Sequence, residues 1–218
     1  MGRLAKLAVT VAVVALAVGL TTAVANAAPY TGVAYCNVST AVAGNAPTTG
    51  TLAAGEASGT ECATFSASAI NFDTRVGGYT LGGFLNSNGA ALGISYLNSF
   101  TANSSQDNSL WVFTGTAFFT NGEMFTVAHD DGTEMYVGGV NVLSVPGPTA
   151  PATNTFTYSG ATGNQSFEFI YTECCGAPGV YQTTLAPAVS ATPEPGTFVL
   201  LGSGLLGLLG IAKRRLIG

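Results

Sequence analysis

Short runs of alternating apolar and polar residues dominate the middle of this chain. The alternation is clear at residues 62–72, where Ala63, Phe65 and Ala67 share one face. Further runs rich in β-branched and aromatic residues occupy 110–119, 123–129, 134–140, 154–158, 165–171 and 180–185. A period of two residues is typical of half-buried β-strands, and no stretch between 28 and 190 has the period of a long amphipathic helix.

Turn signals separate these runs at regular intervals. They are Asn121-Gly122, Asp131-Gly132, Pro146-Gly147-Pro148 and the segment 176–179. Short strands joined by Gly, Asn, Asp and Pro turns predict an all-β fold, an antiparallel β-sandwich. Residues 40–60 are rich in Thr, Gly and Ala, which predicts a long loop.

The N-terminus has the three parts of a secretory signal peptide. Arg3 and Lys6 form a positive region, residues 7–20 are apolar, and Ala25 and Ala27 provide a small-x-small cleavage site. The alternative is a permanent membrane anchor, but the apolar run is short for a bilayer about 30 Å thick. We therefore expect a cleavable signal helix over residues 1–27.

The C-terminus combines a proline motif, an apolar segment and a basic tail. Pro193, Glu194 and Pro195 precede a Gly-rich apolar stretch at 197–212, and the basic residues that follow are Lys213, Arg214 and Arg215. The stretch is long enough to cross a bilayer as one helix, and the basic cluster would stay on the cytoplasmic side.

This arrangement over residues 192–217 resembles the PEP-CTERM sorting signal. The resemblance implies that an exosortase recognises the Pro-Glu-Pro motif and cleaves nearby, so that the protein is anchored in the inner membrane only transiently. The alternative is an ordinary C-terminal anchor after a Pro-rich linker. The predicted organisation is signal peptide 1–27, β-sandwich 28–186, linker 187–192 and sorting signal 193–218.

Charge is scarce and unevenly distributed in the 218 residues. Charged residues make up 8% of the chain, against about 25% in an average domain. The formal net charge is −5, and Arg75 is the only base between Lys6 and Lys213. A nucleic-acid partner is excluded, because binding one requires Lys and Arg to neutralise phosphates.

Four cysteines would enter an oxidising compartment on export and are expected to form disulfides. A bond between adjacent Cys174 and Cys175 departs from the usual Cα separation of disulfides. We therefore predict that Cys36 and Cys62 each pair with one member of the 174–175 pair. A zinc site is the weaker alternative, because no Cys-x-x-Cys spacing occurs and His129 is the only histidine.

The segment 121–139 contains Asp130-Asp131-Gly132 between two predicted strands. With the later strand 167–173 and its return strand 180–185, it resembles the core hairpin of the protective-antigen-type β-sandwich, which includes the GLEYA and flocculin adhesin domains. The resemblance extends over residues 95–186. It implies a calcium ion that binds sugar hydroxyls, held by Asp130 and Asp131.

Further ligands in that family come from the loop after the late strand, where an Asn is frequent. This loop has no Asn, and Glu173 or backbone carbonyls are the candidates to replace it. Two adjacent carboxylates suit Ca²⁺, which takes six to eight oxygen ligands. The alternative is that Asp130 accepts backbone hydrogen bonds and Asp131-Gly132 only forms a turn.

Signals for catalysis are weak, and we expect no enzyme activity. His129 and Asp130 are neighbours on a strand and would point to opposite faces. No Gly-x-Ser-x-Gly elbow occurs, and Glu123 with Glu134 is the only candidate glycosidase pair. The aromatic residues considered as sugar-stacking platforms or core are Trp111, Tyr136 and Tyr171.

The sequence therefore predicts an exported, non-catalytic binding or structural β-sandwich at the cell surface or in the extracellular matrix, associated with exopolysaccharide or biofilm. The expected partners are an exosortase during processing and a polysaccharide. The alternative function is a Ca²⁺-dependent carbohydrate-binding adhesin, and a secreted hydrolase is the remaining possibility. Calcium is the only cofactor these residues suggest.

Overall fold

A computed structural model describes residues 30–44, 58–89 and 91–185 of the chain. The predicted signal peptide with Ala25 and Ala27, the linker, and the sorting signal with its apolar helix lie outside these residues. The strands within the described ranges are β1 (Tyr30–Cys36), β2 (Thr60–Ala67), β3 (Asn71–Asp73), β4 (Ala91–Tyr96), β5 (Ser109–Phe119), β6 (Met124–His129), β7 (Thr133–Val137), β8 (Val140–Val145), β9 (Ala152–Thr157), β10 (Gly163–Glu173) and β11 (Val180–Thr183).

The strands form two antiparallel sheets. The larger sheet has the order β4-β2-β1-β5-β10-β7-β8, and the smaller has the order β3-β11-β6-β9. Every strand pair in both sheets is antiparallel. The predicted all-β, antiparallel β-sandwich is therefore confirmed.

The centre of the larger sheet is formed by its two longest strands. β5 and β10 pair over eleven residues each, from Gly163 opposite Phe119 to Glu173 opposite Ser109. Trp111, Phe113 and Ala117 of β5 are buried, and alternate residues face the other side of the sheet. The two-residue period that predicted this strand thus corresponds to burial of one of its faces.

Aromatic side chains fill the space between the sheets. The ring of Phe113 lies 5.6 Å from that of Phe72 in β3 and 5.3 Å from that of Tyr181 in β11. Trp111 and Tyr171 are fully buried in the same cluster, so these two side chains belong to the core. Tyr136 instead lies half-buried on the outer face, where its hydroxyl donates to Glu134 at 2.6 Å.

Among the described residues, three short α-helices accompany the strands: α1 (Thr40–Ala43), α2 (Thr74–Gly77) and α3 (Leu81–Leu85). Asp73 caps α2, because its carboxylate accepts the Arg75 N–H at 2.9 Å, and Thr80 caps α3 by accepting the Gly83 N–H at 3.0 Å. Across the described part of the chain, no helix is long and apolar enough to cross a membrane.

Two predicted strands are each divided in the structure. The run 62–72 breaks after Ala67, and β2 and β3 belong to different sheets. The run 134–140 breaks at Gly138 and Gly139, which have φ of +58° and +80° and form the turn of the β7–β8 hairpin. Glycine adopts these left-handed conformations without the steric cost of a Cβ atom.

The segment with Asp130 and Asp131 is not a hairpin turn. β6 lies in the smaller sheet and β7 in the larger sheet, so residues 130–132 cross from one sheet to the other. The prediction of a core hairpin at this position is therefore wrong. Turn residues report a local change of chain direction, and the sheet that the next strand joins depends on packing elsewhere.

The predicted disulfide connectivity is also wrong. Cys36 pairs with Cys62, and Cys174 pairs with Cys175. Cys36 ends β1 and Cys62 lies in β2, and the register of these neighbouring strands brings the two Cα atoms to 5.7 Å. This separation is typical of a disulfide. β1 was not predicted from the sequence, so its proximity to β2 could not be anticipated.

Candidate functional site

Three loops meet around an open pocket of about 480 Å³ at one end of the sandwich. They are residues 130–132 between β6 and β7, 146–151 between β8 and β9, and 174–179 between β10 and β11. The lining residues are Asp130, Asp131, Pro148, Thr149, Ala150, Pro151, Cys174, Cys175, Gly176, Ala177 and Pro178. The pocket thus brings together two of the three predicted calcium ligands, Asp130 and Asp131, and both cysteines of the 174–175 pair.

Backbone hydrogen bonds fix the 130–132 crossover on both sides. The Asp130 N–H donates to the Val180 carbonyl at 3.0 Å, and the Gly132 carbonyl accepts the Thr172 N–H at 2.9 Å. Gly147 packs directly on the crossover, since a Cβ built at Gly147 would lie 2.5 Å from the Gly132 nitrogen. The crossover is therefore attached to β11, to β10 and to the 146–151 loop.

The Asp131 carboxylate is used to hold two neighbouring loops. Its Oδ1 accepts the Thr149 N–H at 3.0 Å, and its Oδ2 accepts the Cys174 N–H at 2.6 Å. Burial raises the pKa of Asp131, and these two N–H groups oppose the rise. The sequence alternative assigned backbone hydrogen bonds to Asp130, whereas in the structure they are made by Asp131.

The Asp130 carboxylate makes no hydrogen bond and borders the open pocket. The residue is 5% exposed, and none of the hydrogen bonds within the described residues reaches its carboxylate. Burial and the nearby Asp131 raise the pKa of Asp130 to about 7. Two adjacent carboxylates in a low-dielectric pocket repel each other, and a bound cation would remove that repulsion.

Arg75 is the positive group that acts on Asp130, and it is engaged elsewhere. It lowers the pKa of Asp130, but its guanidinium forms a two-pronged pair with Asp73, with Nε at 2.9 Å from Oδ1 and Nη2 at 2.6 Å from Oδ2. The bidentate geometry of this pair commits the guanidinium to Asp73. Asp130 is therefore left without a direct ion pair among the described residues.

Glu173 lies behind the pocket and does not line it. Its side chain is fully buried, and its carboxylate accepts hydrogen bonds from the hydroxyls of Tyr79, at 2.8 Å, and of Tyr171. Burial raises the pKa of Glu173 to about 9, so the carboxyl is protonated at neutral pH. A neutral carboxyl in this position is poorly suited to bind a cation.

The ring of His129 forms hydrogen bonds with the 130–132 crossover and with β9. Nδ1 lies 2.7 Å from the Asp131 carbonyl, and Nε2 lies 2.6 Å from the Asn154 amide nitrogen. The two contacts assign the proton to Nδ1, which donates to the carbonyl, while Nε2 accepts from the amide. Burial lowers the pKa of His129, which favours this neutral form.

The two candidate glycosidase carboxylates lie on different elements, Glu123 just before β6 and Glu134 within β7. Glu123 accepts the Thr120 N–H at 2.9 Å, while Glu134 accepts from Tyr136 and Ser144. Each carboxylate is thus engaged by its own hydrogen bonds, and β6 and β7 belong to different sheets.

The residues fit a calcium ion in their chemistry but provide only two of the required oxygen donors as carboxylates. Within the described ranges, no group of three or more His, Cys, Asp or Glu side chains is placed to hold a metal ion. A calcium ion at Asp130 and Asp131 would therefore need backbone carbonyls, water or ligand hydroxyls to complete its coordination. The cysteines are bonded to each other, which removes them as zinc ligands.

Two parts of this site were missed in the sequence. The 146–151 loop was predicted only as a turn, although its run Pro146-Gly147-Pro148-Thr149-Ala150-Pro151 marks an unusually rigid connection. No sequence pattern identified Tyr79 as part of the site, because its contact with Glu173 spans 94 positions in the sequence.

Comparisons with known proteins support the sorting signal and the fold. Residues 191–215 match the family model of the PEP-CTERM protein-sorting motif, which confirms that the chain carries this motif. No curated protein is significantly similar in sequence to the chain. The match includes the predicted motif residues and the basic residues Lys213, Arg214 and Arg215.

Among solved structures, the chain is similar to the PA14 domain of the MpAFP antifreeze protein, with 23% identity and a TM-score of 0.50 over 76% of this chain and 83% of that chain. A PA14 sugar-binding domain from an RTX adhesin is 23% identical, with a TM-score of 0.48 over 71% of this chain and 86% of that chain. At this identity, the first likeness shows the fold alone, a PA14-type β-sandwich. The narrower resemblance to GLEYA and flocculin domains stays a prediction.

Proposed function

We propose that this chain is an exported, non-catalytic binding protein of the cell surface or extracellular matrix. Its β-sandwich binds a carbohydrate of the surrounding exopolysaccharide or biofilm through a Ca²⁺ ion at Asp130 and Asp131. When bound, the ion supplies coordination positions for neighbouring hydroxyls of a sugar. The signal peptide directs export, and an exosortase removes the C-terminal anchor.

The observation that carries the binding proposal is the state of the Asp130 carboxylate. Buried carboxylates in folded proteins are normally paired or hydrogen-bonded, because an isolated buried charge is costly. Asp130 is buried beside a second carboxylate, lacks a hydrogen bond in the described part of the protein, and borders an open pocket. A cation entering that pocket would provide the missing partner.

The Asp131 carboxylate is hydrogen-bonded and the Asp130 carboxylate is not, and this difference supports the same proposal. Asp131 is fixed by N–H groups from two different loops, so its position does not depend on a ligand. Asp130 is held through its backbone N–H and keeps its carboxylate free. A preorganised acid next to a free acid lowers the ordering cost of binding a cation.

The sorting half of the proposal is supported by the PEP-CTERM match at residues 191–215. If an exosortase processes this signal, protein isolated from its host should end near Pro195 and lack the apolar tail. Mass spectrometry of the intact mature protein measures this directly. A mature chain ending at Gly218 would contradict processing and indicate a permanent anchor.

Calcium binding is tested by calorimetric titration and thermal unfolding of the exported protein. At about a hundredfold excess over Kd, Ca²⁺ should stabilise the folded state by about 2.7 kcal/mol, and chelation should reverse the effect. Mg²⁺ should stabilise less, because it retains its waters and prefers a tighter octahedral site. Binding of an array of immobilised glycans should then depend on Ca²⁺.

Asp130→Asn is the variant that decides the site, and Glu123→Gln is its matched control at the far end of β6. The first should abolish the calcium-induced stabilisation, whereas the second should leave it unchanged. Absence of any calcium effect on the unmodified protein would overturn the metal site. Calcium binding without any glycan on the array would overturn the carbohydrate role alone.

A further inference from the structure

The pocket around Asp130 and Asp131 has apolar walls but lacks an aromatic one. The described residues around the two carboxylates include Pro148, Pro151 and Pro178, and none of those lining the pocket is Phe, Tyr or Trp. Sugars bind proteins through their hydroxyl edges and also through the apolar C–H faces of their rings, which aromatic side chains usually cover. Some other surface must cover that face here.

The Cys174–Cys175 disulfide lies beside the two carboxylates in this pocket. Cys174 is buried, and its N–H donates to Asp131 Oδ2 at 2.6 Å, so one end of the disulfide is attached directly to the acidic pair. Cys175 is exposed and also lines the pocket. The Cys174 side chain packs in a buried cluster with Leu110 and Ile170, so the exposed Cys175 half of the disulfide is the part that can face the pocket. Sulfur is large, polarisable and weakly hydrogen-bonding, and this half therefore presents an apolar surface.

The disulfide also determines the course of the loop that follows it. Cys175 has φ of +70° and Gly176 has φ of +109°, so two successive residues adopt left-handed backbone conformations. Such a conformation is unfavourable for a residue with a Cβ atom. The covalent ring keeps Cys175 in it, and the loop then returns across the pocket through Ala177 and Pro178 to Gly179.

A contact with Thr74, the first residue of α2, fixes the far end of this loop. The Gly179 N–H donates to the Thr74 hydroxyl at 2.7 Å, and the Gly179 carbonyl accepts the Thr74 N–H at 2.9 Å. The loop is therefore anchored by Asp131 at its beginning and by Thr74 at its end. Between the anchors, the disulfide is its most constrained element.

We propose that the Cys174–Cys175 disulfide is a ligand-contacting wall of this site. The C–H face of a hexose ring packs on the exposed Cys175 half of the disulfide while its hydroxyl edge is directed toward Asp130 and Asp131. This inference rests on the proposed carbohydrate binding and deepens it, since it selects sugars with an apolar face beside a pair of neighbouring hydroxyls. The disulfide thus contributes to specificity, and the aspartates to cation binding.

The test compares two double variants that each lose one disulfide. Cys174→Ser with Cys175→Ser removes the wall, and Cys36→Ser with Cys62→Ser removes the bridge between β1 and β2. Calorimetric titration measures Ca²⁺ affinity, and titration of the glycan bound best by the unmodified protein measures sugar affinity. The first variant should bind Ca²⁺ within about threefold of the unmodified protein, because Asp131 keeps the Cys174 N–H, but should bind the glycan at least about tenfold more weakly. The second should change neither affinity.

Reversible reduction provides a measurement that does not depend on folding of a variant. Dithiothreitol would transfer two electrons and two protons to the exposed disulfide, giving two thiols while the reagent closes to its cyclic disulfide. Cys36 and Cys62 are buried and should remain bonded, which alkylation followed by peptide mass spectrometry verifies. Glycan affinity should fall on reduction and return on reoxidation.

The outcomes separate this inference from the function on which it rests. Unchanged glycan affinity after loss of the disulfide would overturn the wall and leave carbohydrate binding intact. Equal loss of Ca²⁺ and glycan affinity would also overturn it, since the disulfide would then act only through the acidic pair. If the unmodified protein binds Ca²⁺ but none of the arrayed glycans, the carbohydrate role fails and the wall fails with it.

Discussion

The two ends of β6 carry similar sequences and very different chemistry. Asn121-Gly122 precedes the strand and Asp131-Gly132 follows it, and each segment carries the chain from one sheet to the other. Asn121 and Gly122 are exposed, whereas Asp131 and Gly132 are buried. The comparison shows that a similar signal can mark a solvated corner of the sandwich or a loop that builds a site.

Hydrogen bonding distinguishes the two crossovers more clearly than burial. At the first, the Asn121 amide donates to the Gly160 carbonyl at 2.9 Å, and Glu123 accepts the Thr120 N–H at 2.9 Å, so both polar side chains have partners within the corner. At the second, Asp131 has partners and Asp130 has none within the described residues. The second crossover therefore leaves one carboxylate without a hydrogen bond at the border of the open pocket.

The largest expected effect on stability is that of removing the acid that holds the second crossover. Asp131→Ala leaves the half-buried N–H of Thr149 and the buried N–H of Cys174 without a partner, and a lost partner costs about 1–3 kcal/mol for each buried group. We expect the free energy of unfolding, measured with denaturant, to fall by about 4 kcal/mol. Asn121→Ala is the matched change at the exposed crossover and should cost about 1 kcal/mol, since water can replace its contacts. Equal decreases in the free energy of unfolding for the two variants would contradict the inference that side-chain hydrogen bonds matter more at the second crossover than at the first.

Replacing Asp130, the acid without a hydrogen bond, should raise the free energy of unfolding rather than lower it. The folded pKa of Asp130, about 7, lies above its ordinary value near 4, so the folded state retains a proton that the unfolded state has lost. Stability therefore falls as pH rises from about 4 to 7, and Asp130→Asn lacks this fall. Without calcium at pH 8, we expect the free energy of unfolding of the variant to be about 4 kcal/mol higher, since the pKa differs by about three units at about 1.4 kcal/mol per unit.

Calcium should favour the unmodified protein over Asp130→Asn, because only the ionised Asp130 carboxylate binds the ion well. Below pH 7, the apparent Kd of the unmodified protein for Ca²⁺ should rise by about tenfold per pH unit as Asp130 takes up a proton. Titrations at several pH values measure this slope. An apparent Kd independent of pH between 5 and 7 would exclude Asp130 as a ligand.

The regular parts of the fold could be predicted because their signals are local. Much of β5 and the first half of β10 alternate more and less buried residues, whereas residues 169–173 of β10 are all buried, and the sorting motif is a contiguous stretch of sequence. β1 was missed because Gly32 interrupts its pattern. A Cβ at Gly32 would lie within 2.1 Å of the Phe65 ring, so the position admits only glycine, a residue that ordinarily argues against a strand.

The site could be predicted only in part, because it is assembled from distant segments. The adjacent acids Asp130 and Asp131 were recognisable in the sequence, and the structure places both in the pocket. Which of the two binds the neighbouring loops depends on the positions of Thr149 and Cys174, 18 and 43 residues away. The disulfide pairing depended in the same way on the register of β1 and β2.

A smaller effect is expected from a glycine at the exposed crossover. Gly122 has φ of +84°, and a Cβ at this position would meet nothing within 4 Å, so only the backbone conformation opposes a side chain. Gly122→Ala should therefore lower the free energy of unfolding by about 1 kcal/mol, measured with denaturant. Calcium affinity should be unchanged, because the pocket lies at the other end of β6. A loss of calcium binding would show that the two crossovers are coupled.

The smallest expected effect on calcium binding is that of Glu173→Gln, although this acid is close to the site in sequence and in space. With a pKa of about 9, Glu173 is already neutral at pH 7, and a glutamine of the same shape can accept the Tyr79 hydroxyl with its oxygen while its NH2 group donates to the Tyr171 oxygen. We expect the Kd for Ca²⁺ to change less than about twofold, since no charge is removed from the pocket.

Because the folded pKa of Glu173 lies above the ordinary value near 4, the unmodified protein loses stability from about pH 4 to pH 9 and the variant lacks this loss. The two proteins should match best near pH 4. A calcium affinity reduced as strongly as by Asp130→Asn would instead identify Glu173 as a third ligand.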